Sequence, residues 1–339
     1  MRDGRLRAAL ATLGLLAVLT ACGTANAQDI PAATTGSPTG PRTIAPLDDP
    51  VQPLTPAPSP QLPVTVPSFD GVDVTITDAS RILPVDLYGT FSEIVFSLGL
   101  GDRVVGRDTA TGFEEAAHLP AVSGSGHDLN VESILALDPT VVITDTSIGP
   151  AEVFVQLRAA GIPVVFLDPA RTLEGIDDHI RAVAGALGVP EAGEALVERT
   201  DAQIAAARAT APAEGGPRVA FLYVRGTAGV YLMGGPGSGA DALIEAVGAV
   251  DAGTAIGLDR SFVPITSEGM INAAPDVILV MNAGLKSVGG VDALFAMPGI
   301  GQTPAAELRR VVDAPDTELL SFGPSTAATI ANLAEALYR

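Results

Sequence analysis

Fifteen residues in the first half of this chain return in outline in the second half. Leu129-Asn130-Val131-Glu132-Ser133-Ile134-Leu135-Ala136-Leu137-Asp138-Pro139-Thr140-Val141-Val142-Ile143 lies on Ile265–Leu279 at a constant offset of 136 positions. Glu132 falls on Glu268, Pro139 on Pro275 and Val141 on Val277, while apolar Ile134 and Leu135 fall on Met270 and Ile271. Each copy reads as a short helix opened by a carboxylate, ended by a proline and followed by a buried-type strand. Chance likeness of two helix–proline–strand units is the competing explanation. The glutamates matched at the same helical turn favour two related α/β lobes.

The sequence around both copies alternates between strand-like and helix-like patterns. Arg81–Val85 is a short β-rich run, and Tyr88–Leu98 has helical spacing with Phe91, Ile94, Val95 and Leu98 on one face. Arg103–Gly106 reads as a brief strand, Val131–Leu137 as helix, Val141–Thr144 as strand, Val153–Ala160 as helix and Pro163–Leu167 as strand. Helical pattern dominates from Leu173 to Ala211, broken at Gly188-Val189-Pro190, and Gly215–Pro217 marks a joint. Strand Arg218–Val224, helices Ala240–Ala249 and Glu268–Ala273, strand Val277–Met281 and a C-terminal helix after Ser325 follow. The expected fold is α/β, two similar lobes of central sheets flanked by helices. The boundaries are an N-terminal lobe over 68–170, a helical linker with a long interlobe helix over 171–215, and a C-terminal lobe over 216–339.

The N-terminus carries a different signal. Arg2, Arg5 and Arg7 precede an apolar run, Ala8–Ala21, which ends at the one cysteine of the sequence, Cys22. The run is too short to cross a hydrocarbon core, which takes about 20 residues, and its layout is that of a secretory leader over 1–21. A cysteine at the cut resembles the lipobox of bacterial lipoproteins and implies that Cys22 becomes a lipidated first residue. An ordinary leader with an incidental cysteine is the alternative. Residues 22–67 hold 11 of the 27 prolines and read as a disordered tether between anchor and body. With one cysteine the chain forms no internal disulfide. A net charge of −20 excludes nucleic acid and anionic headgroups as natural partners. The expected location is the extracytoplasmic face of the cell membrane, with the lipid at Cys22 as the anchor.

Three histidines limit metal chemistry, and no His-x-x-x-His, His-Glu-x-x-His or Cys/His cluster is present. His118 and His179 read as solvated surface residues. His127 sits in Ser123-Gly124-Ser125-Gly126-His127-Asp128, a polar loop just before the Glu132 helix. Such strand-to-helix edges are where ligands meet α/β lobes. A neutral imidazole there suits a transition metal or haem iron; a solvent-facing loop histidine fits equally.

On strand Arg218–Arg225, period two puts Tyr223 and Arg225 on one face near the C-terminal end. A guanidinium beside a phenol favours the phenolate, a ligand for ferric iron; a polar or shape-packed pair is the alternative. Tyr231 follows closely and ranks second. Gly234-Gly235-Pro236-Gly237-Ser238-Gly239 lacks the Gly-Lys-Ser/Thr ending of a phosphate loop and reads as a tight strand-to-helix turn. No Gly-x-Ser-x-Gly elbow is present, so a serine hydrolase has little support.

Four segments carry a family resemblance from about Ile82 to the C-terminus. They are Gly89-Thr90-Phe91-Ser92-Glu93, Leu98-Gly99-Leu100-Gly101-Asp102-Arg103-Val104-Val105-Gly106, Asn130 to Asp138-Pro139, and Leu222-Tyr223-Val224-Arg225-Gly226. Together they resemble the cluster A (class III) substrate-binding proteins of ABC importers, specifically the haem-binding HmuT-like lipoproteins of actinobacteria. The resemblance implies lobes joined by one long helix, a ligand cleft between them, and no enzymatic activity. It implies ferric haem b as the transported ligand, with His127 and Tyr223 as iron ligands and Arg225 supporting the tyrosinate. Glu132 and Glu268 would be the docking carboxylates, one per lobe, for the permease. Its further partners would be the ATPase subunit of the importer and upstream haem donors. A ferric siderophore or cobalamin carrier and an exported enzyme on a two-lobed fold are the alternatives.

Overall fold

The computed structural model describes residues 38–339 apart from 125–127 and 214. The leader, Cys22 and His127 lie outside the described residues. In chain order the first six strands are β1 (Arg42–Thr43), β2 (Val64–Pro67), β3 (Asp73–Ile76), β4 (Ile82–Pro84), β5 (Val141–Thr144) and β6 (Val164–Phe166). They are followed by β7 (Arg218–Arg225), β8 (Val230–Gly234), β9 (Val250–Asp251), β10 (Phe262–Pro264), β11 (Val277–Met281) and β12 (Val311–Ala314).

β5 and β11 are buried along their whole length, and apolar but for Thr144 at the end of β5, because both faces are covered, as parallel sheets require. In the N-terminal lobe β5 is the middle of a parallel sheet ordered β4-β5-β6. In the C-terminal lobe β11 lies between β12 and β7 in a sheet ordered β1-β12-β11-β7-β8-β10, with β9 beside the start of β7. β8 runs antiparallel to both of its neighbours, β7 and β10. Alternation along β7 holds: Val219 and Phe221 join one hydrophobic cluster, and Ala220, Leu222 and Val224 join another.

The helices that position the site are α1 (Thr90–Ser97), α2 (Val131–Ala136), α3 (Ala151–Ala159), α4 (Gly175–Ala186), α5 (Pro190–Arg208), α6 (Ala240–Ala246), α7 (Ala252–Ala255) and α8 (Ser267–Ala273). α5 is the long linking helix and packs on both α4 and the C-terminal helix Thr326–Tyr338. A continuous core runs from Phe91 and Ile94 of α1 through Leu196 of α5 to Phe221 and Ile330. Each sheet also has a smaller core on its far face.

The repeat holds in three dimensions and reaches further than its sequence signal. Asn130 accepts from Ser133 N at 2.8 Å and Thr266 from Gly269 N at 3.0 Å, so α2 and α8 have matching N-caps. Both helices run into a left-handed residue before the proline, Asp138 (φ 44°) and Ala274 (φ 42°). A proline next in line disfavours a further helical residue there. An arginine at the start of the preceding strand region closes each unit. Arg81 Nε donates to Asp138 O at 2.8 Å, and Arg218 Nε donates to Ala273 O at 3.0 Å. Cations at the carbonyl ends of helices complement the dipole.

The structure corrects the tether. Residues 38–67 follow the body: β1 pairs with β12, Ile44 and Val51 are buried, and β2 pairs with β3. Leu54 N donates to Ser97 O at 2.9 Å and Gln61 N to Gly188 O at 2.7 Å. Gly99 (φ 83°) and Gly188 (φ 68°) make these approaches feasible. A Cβ would stand 2.8 Å from Leu54 O at Gly99 and 2.5 Å from Gln61 O at Gly188. Proline richness removes ladder donors but leaves an extended strap free to dock through its few aliphatic residues.

Two local expectations also change, and further strands come in addition to those expected. Arg103–Gly106 contributes only a single bridge, Val104 with Ile82. β8, β10 and β12 are too short or too mixed in pattern to have been read from sequence. His179 is buried, not solvated: Nε2 lies 2.7 Å from Asp168 O and the ring stands edge-on to Phe91. Burial holds its pKa below the ordinary histidine value, with the Asp168 carbonyl opposing.

Candidate functional site in the interlobe cleft

A cavity of about 550 Å³ opens between the lobes, within the range of small-molecule sites. Leu87, Tyr88, Thr109 and Ala110 form its N-terminal wall. Tyr223, Arg225, Leu232, Phe262, Met281 and Asp316 form most of the opposite wall. The lining is largely apolar, with two phenols and one ion pair.

Strand alternation brings Tyr223 and Arg225 together, as expected. The Arg225 guanidinium lies over the Tyr223 ring, 4.6 Å from its centroid, and Phe262 stands edge-on at 5.9 Å. Arg225 Nη2 donates to Asp316 Oδ1 at 2.8 Å, and Nη1 donates to Val224 O at 2.9 Å. Asp316 in turn accepts from Ala283 N at 2.9 Å. The arginine is therefore fixed by backbone and carboxylate, with its charge held against the ring face instead of bonded to the hydroxyl.

Tyr231 does not join them. The β7–β8 register puts Leu232 opposite Tyr223 and Tyr231 opposite Val224. Tyr231 thus faces the far-side core with Met233, while Leu232 takes the cleft. A one-residue step in a strand reverses the face, and the register was not readable in advance.

On the N-terminal wall, Asp86 shapes the turn that presents Tyr88. Its carboxylate accepts from the backbone N of Tyr88, Thr90 and Phe91 at 3.1–3.2 Å, capping α1 from outside. Arg171 lies 4.7 Å from the Tyr88 ring centroid and donates to Asp145 at 2.6 Å and Asp86 at 3.3 Å. Asp108 accepts from Asp86 N at 3.0 Å. Asp86, Asp108 and Asp145 are all fully buried, and Arg171 pairs with the first and the last of them. Burial pushes the Asp86 carboxyl up to about 7 against the pull of Arg171, with Asp108 and Asp145 adding to the rise. Burial raises Asp108 as well, against its hydrogen bonds. It also raises the Tyr88 phenol, opposed by Arg171.

Glu132 and Glu268 are exposed in the first turns of α2 and α8. His127 and Cys22 fall outside the described residues. The stem of the His127 loop is described: Ser123 pairs with Leu129, and Gly124 N donates to Asp128 O at 3.0 Å. Ser123 Oγ accepts from the N of cleft-lining Thr109 at 2.9 Å. The glycine-rich 234–239 segment is the β8–α6 turn, and none of it is among the residues that line the cavity.

Sequence reasoning missed Tyr88, Arg171, Phe262 and Asp316. Tyr88 had a usable signal, because it follows the C-terminal end of a parallel strand, the customary ligand edge. Arg171 and Asp316 had none; the one reaches Tyr88 and the other Arg225 from far away in sequence.

Comparison with known proteins agrees with this architecture. The periplasmic binding protein family model matches residues 85–318. An uncharacterized ABC transporter substrate-binding lipoprotein of Bacillus subtilis, YvrC, is 25% identical over 281 residues, 81% of this chain and 86% of that protein. A vitamin B12-binding protein of Vibrio campbellii is 30% identical over 146 residues, 43% of this chain and 51% of that one. The crystal structure of the heme binding protein HmuT superposes with a TM-score of 0.83 at 41% identity, covering 88% of this chain and 97% of that one. Forms of HmuT with a single arginine, histidine or tyrosine changed to alanine match similarly.

A two-lobed carrier with a cleft between α/β halves is thus the class that fold and site define. The chain belongs to the periplasmic binding protein family, in the class III group that includes HmuT. Such proteins work with ABC transporters outside the cytoplasm and are carriers, not enzymes.

Proposed function

We propose that this protein captures ferric haem between its lobes and delivers it to an ABC importer. The observation that carries the reading is the Tyr223–Arg225–Asp316 unit in a largely apolar cleft. Apolar walls suit a flat macrocycle, and a phenol backed by a fixed cation suits ferric iron. His127 would supply the second iron ligand from the N-terminal lobe; its loop stem is bonded to cleft-lining Thr109. Glu132 and Glu268, exposed at equivalent helix starts, would dock the permease. A leader over 1–21 and a lipid on Cys22 would keep the carrier at the membrane.

The test is a hemin titration of the full chain followed by its visible spectrum. Saturable binding with a Soret shift is expected, and Tyr223→Phe and His127→Ala should each move the ligation spectrum. Lack of a saturable Soret change in the unchanged protein overturns the haem reading. The likeness to vitamin B12-binding proteins favours a corrinoid as second reading, which hydroxocobalamin in the same titration separates.

A further inference from the structure

The cleft holds two tyrosine–arginine stacks, one per lobe. Arg225 lies 4.6 Å from the ring centroid of Tyr223, and Arg171 lies 4.7 Å from that of Tyr88. Both rings line the same cavity from opposite walls, and both arginines are tied to aspartates. The two phenols are near enough for Tyr223 to disfavour ionisation of Tyr88. Only one of the pairs was anticipated by strand alternation; the other exists because Arg171 is brought beneath the turn after β4.

We infer that Tyr88 is a second ligand-contacting residue, a neutral phenol on the N-terminal wall that donates its hydrogen bond to the bound molecule. This rests on the haem reading and extends it by assigning the opposite wall a polar contact of its own. Three observations support the role. Tyr88 is half-buried and reaches the cavity, while no hydrogen bond of its hydroxyl within the protein is among the described contacts. A phenol facing a cleft generally finds a partner when the cleft is filled. Its ring is fixed by Arg171 and its backbone by Asp86, so little freedom remains to be lost on binding.

The two walls also differ in charge. Arg171 faces two carboxylates, Asp86 and Asp145, whereas Arg225 faces one, Asp316. Little positive field is left at Tyr88 to favour a phenolate, and burial opposes one. Tyr88 therefore keeps its proton and acts as a donor, which leaves iron ligation to the other wall. The class of ligand group it suits is an acceptor oxygen on a planar macrocycle, such as a carboxylate side arm.

Tyr88→Phe tests this directly, because it keeps the ring and its stack on Arg171 and removes only the hydroxyl. In the full chain, Tyr88→Phe is expected to weaken hemin binding about five- to tenfold, the size of one net hydrogen bond. Tyr88→Ala should weaken it further, and both should leave the Soret position of the bound form unchanged. A thermal melt of Tyr88→Phe that matches the unchanged protein excludes a merely structural effect. Independently, nitration by tetranitromethane, mapped by mass spectrometry, should be blocked by hemin at Tyr88 and Tyr223 but not at Tyr231, which faces away from the cleft. Hemin affinity within twofold of the unchanged protein in both variants, with Tyr88 nitrated equally with and without hemin, overturns the inference alone. Failure of the unchanged protein to bind hemin overturns the haem reading and the inference with it.

Discussion

The two walls of the cleft are built from the same three residue types and reach different states. On the C-terminal wall, Arg225 and Asp316 are each 28% exposed at the side chain, so water shares in balancing their charge. On the N-terminal wall, Arg171 is 6% exposed and Asp86 and Asp145 are fully buried. An exposed ion pair is worth little, because water competes for both partners. A buried one is costly to assemble and more costly to break. One wall is thus a tunable surface pair and the other a fixed foundation, although both present a tyrosine to the same cavity.

Breaking the arginines separately should expose that difference most strongly. Arg171→Met strands the two buried carboxylates of Asp86 and Asp145 and is expected to cost about 3–5 kcal/mol in chemical denaturation. Arg225→Met should cost under about 1 kcal/mol while weakening hemin binding. Equal losses of stability would refute the contrast.

A smaller effect concerns how the lobes are held together. Glu93 of α1 reaches across to the C-terminal lobe, where it accepts from Ser325 N and from Ser321 Oγ. Burial pushes its carboxyl up to about 7 from an ordinary 4.5, its hydrogen bonds opposing. The folded protein therefore holds a proton there that the unfolded chain releases. Its contribution to stability is fully present below about pH 4.5 and is lost as pH rises through about 7. Glu93→Gln should flatten the pH dependence of the melting temperature in this window. An unchanged slope would remove Glu93 from the linkage.

The smallest effect on the isolated protein is expected at the repeat. Glu132→Arg and Glu268→Arg, on exposed and equivalently capped helices, should leave stability and hemin affinity within error and reduce uptake in a transport assay. Comparing the single variants shows whether the lobes contribute equally. Normal uptake in the double variant would remove the docking role.

Much of this was legible in the chain. The fifteen-residue repeat, the strand Val277–Met281 and the break before α5 are local patterns, and local patterns survive folding. Tyr223 and Arg225 were paired by strand period alone. Tyr231 was misplaced because register depends on the neighbouring strand. The strap over 40–67 was misread because proline content reports backbone hydrogen-bonding capacity, not docking. His179 was misplaced because the burial of one helix face is decided by what packs on it.

The sequence by itself determined two related α/β lobes, a helical linker and one tyrosine–arginine pair, since each is set by neighbours a few residues apart. Only the tertiary structure decided that Arg171 would sit under Tyr88, that Asp316 would hold Arg225, and that Glu93 would bridge to Ser325. Those contacts join positions 83, 91 and 232 residues apart. Nothing in local periodicity encodes such distances, and they arise when two cores close on one another and bury the same charges together.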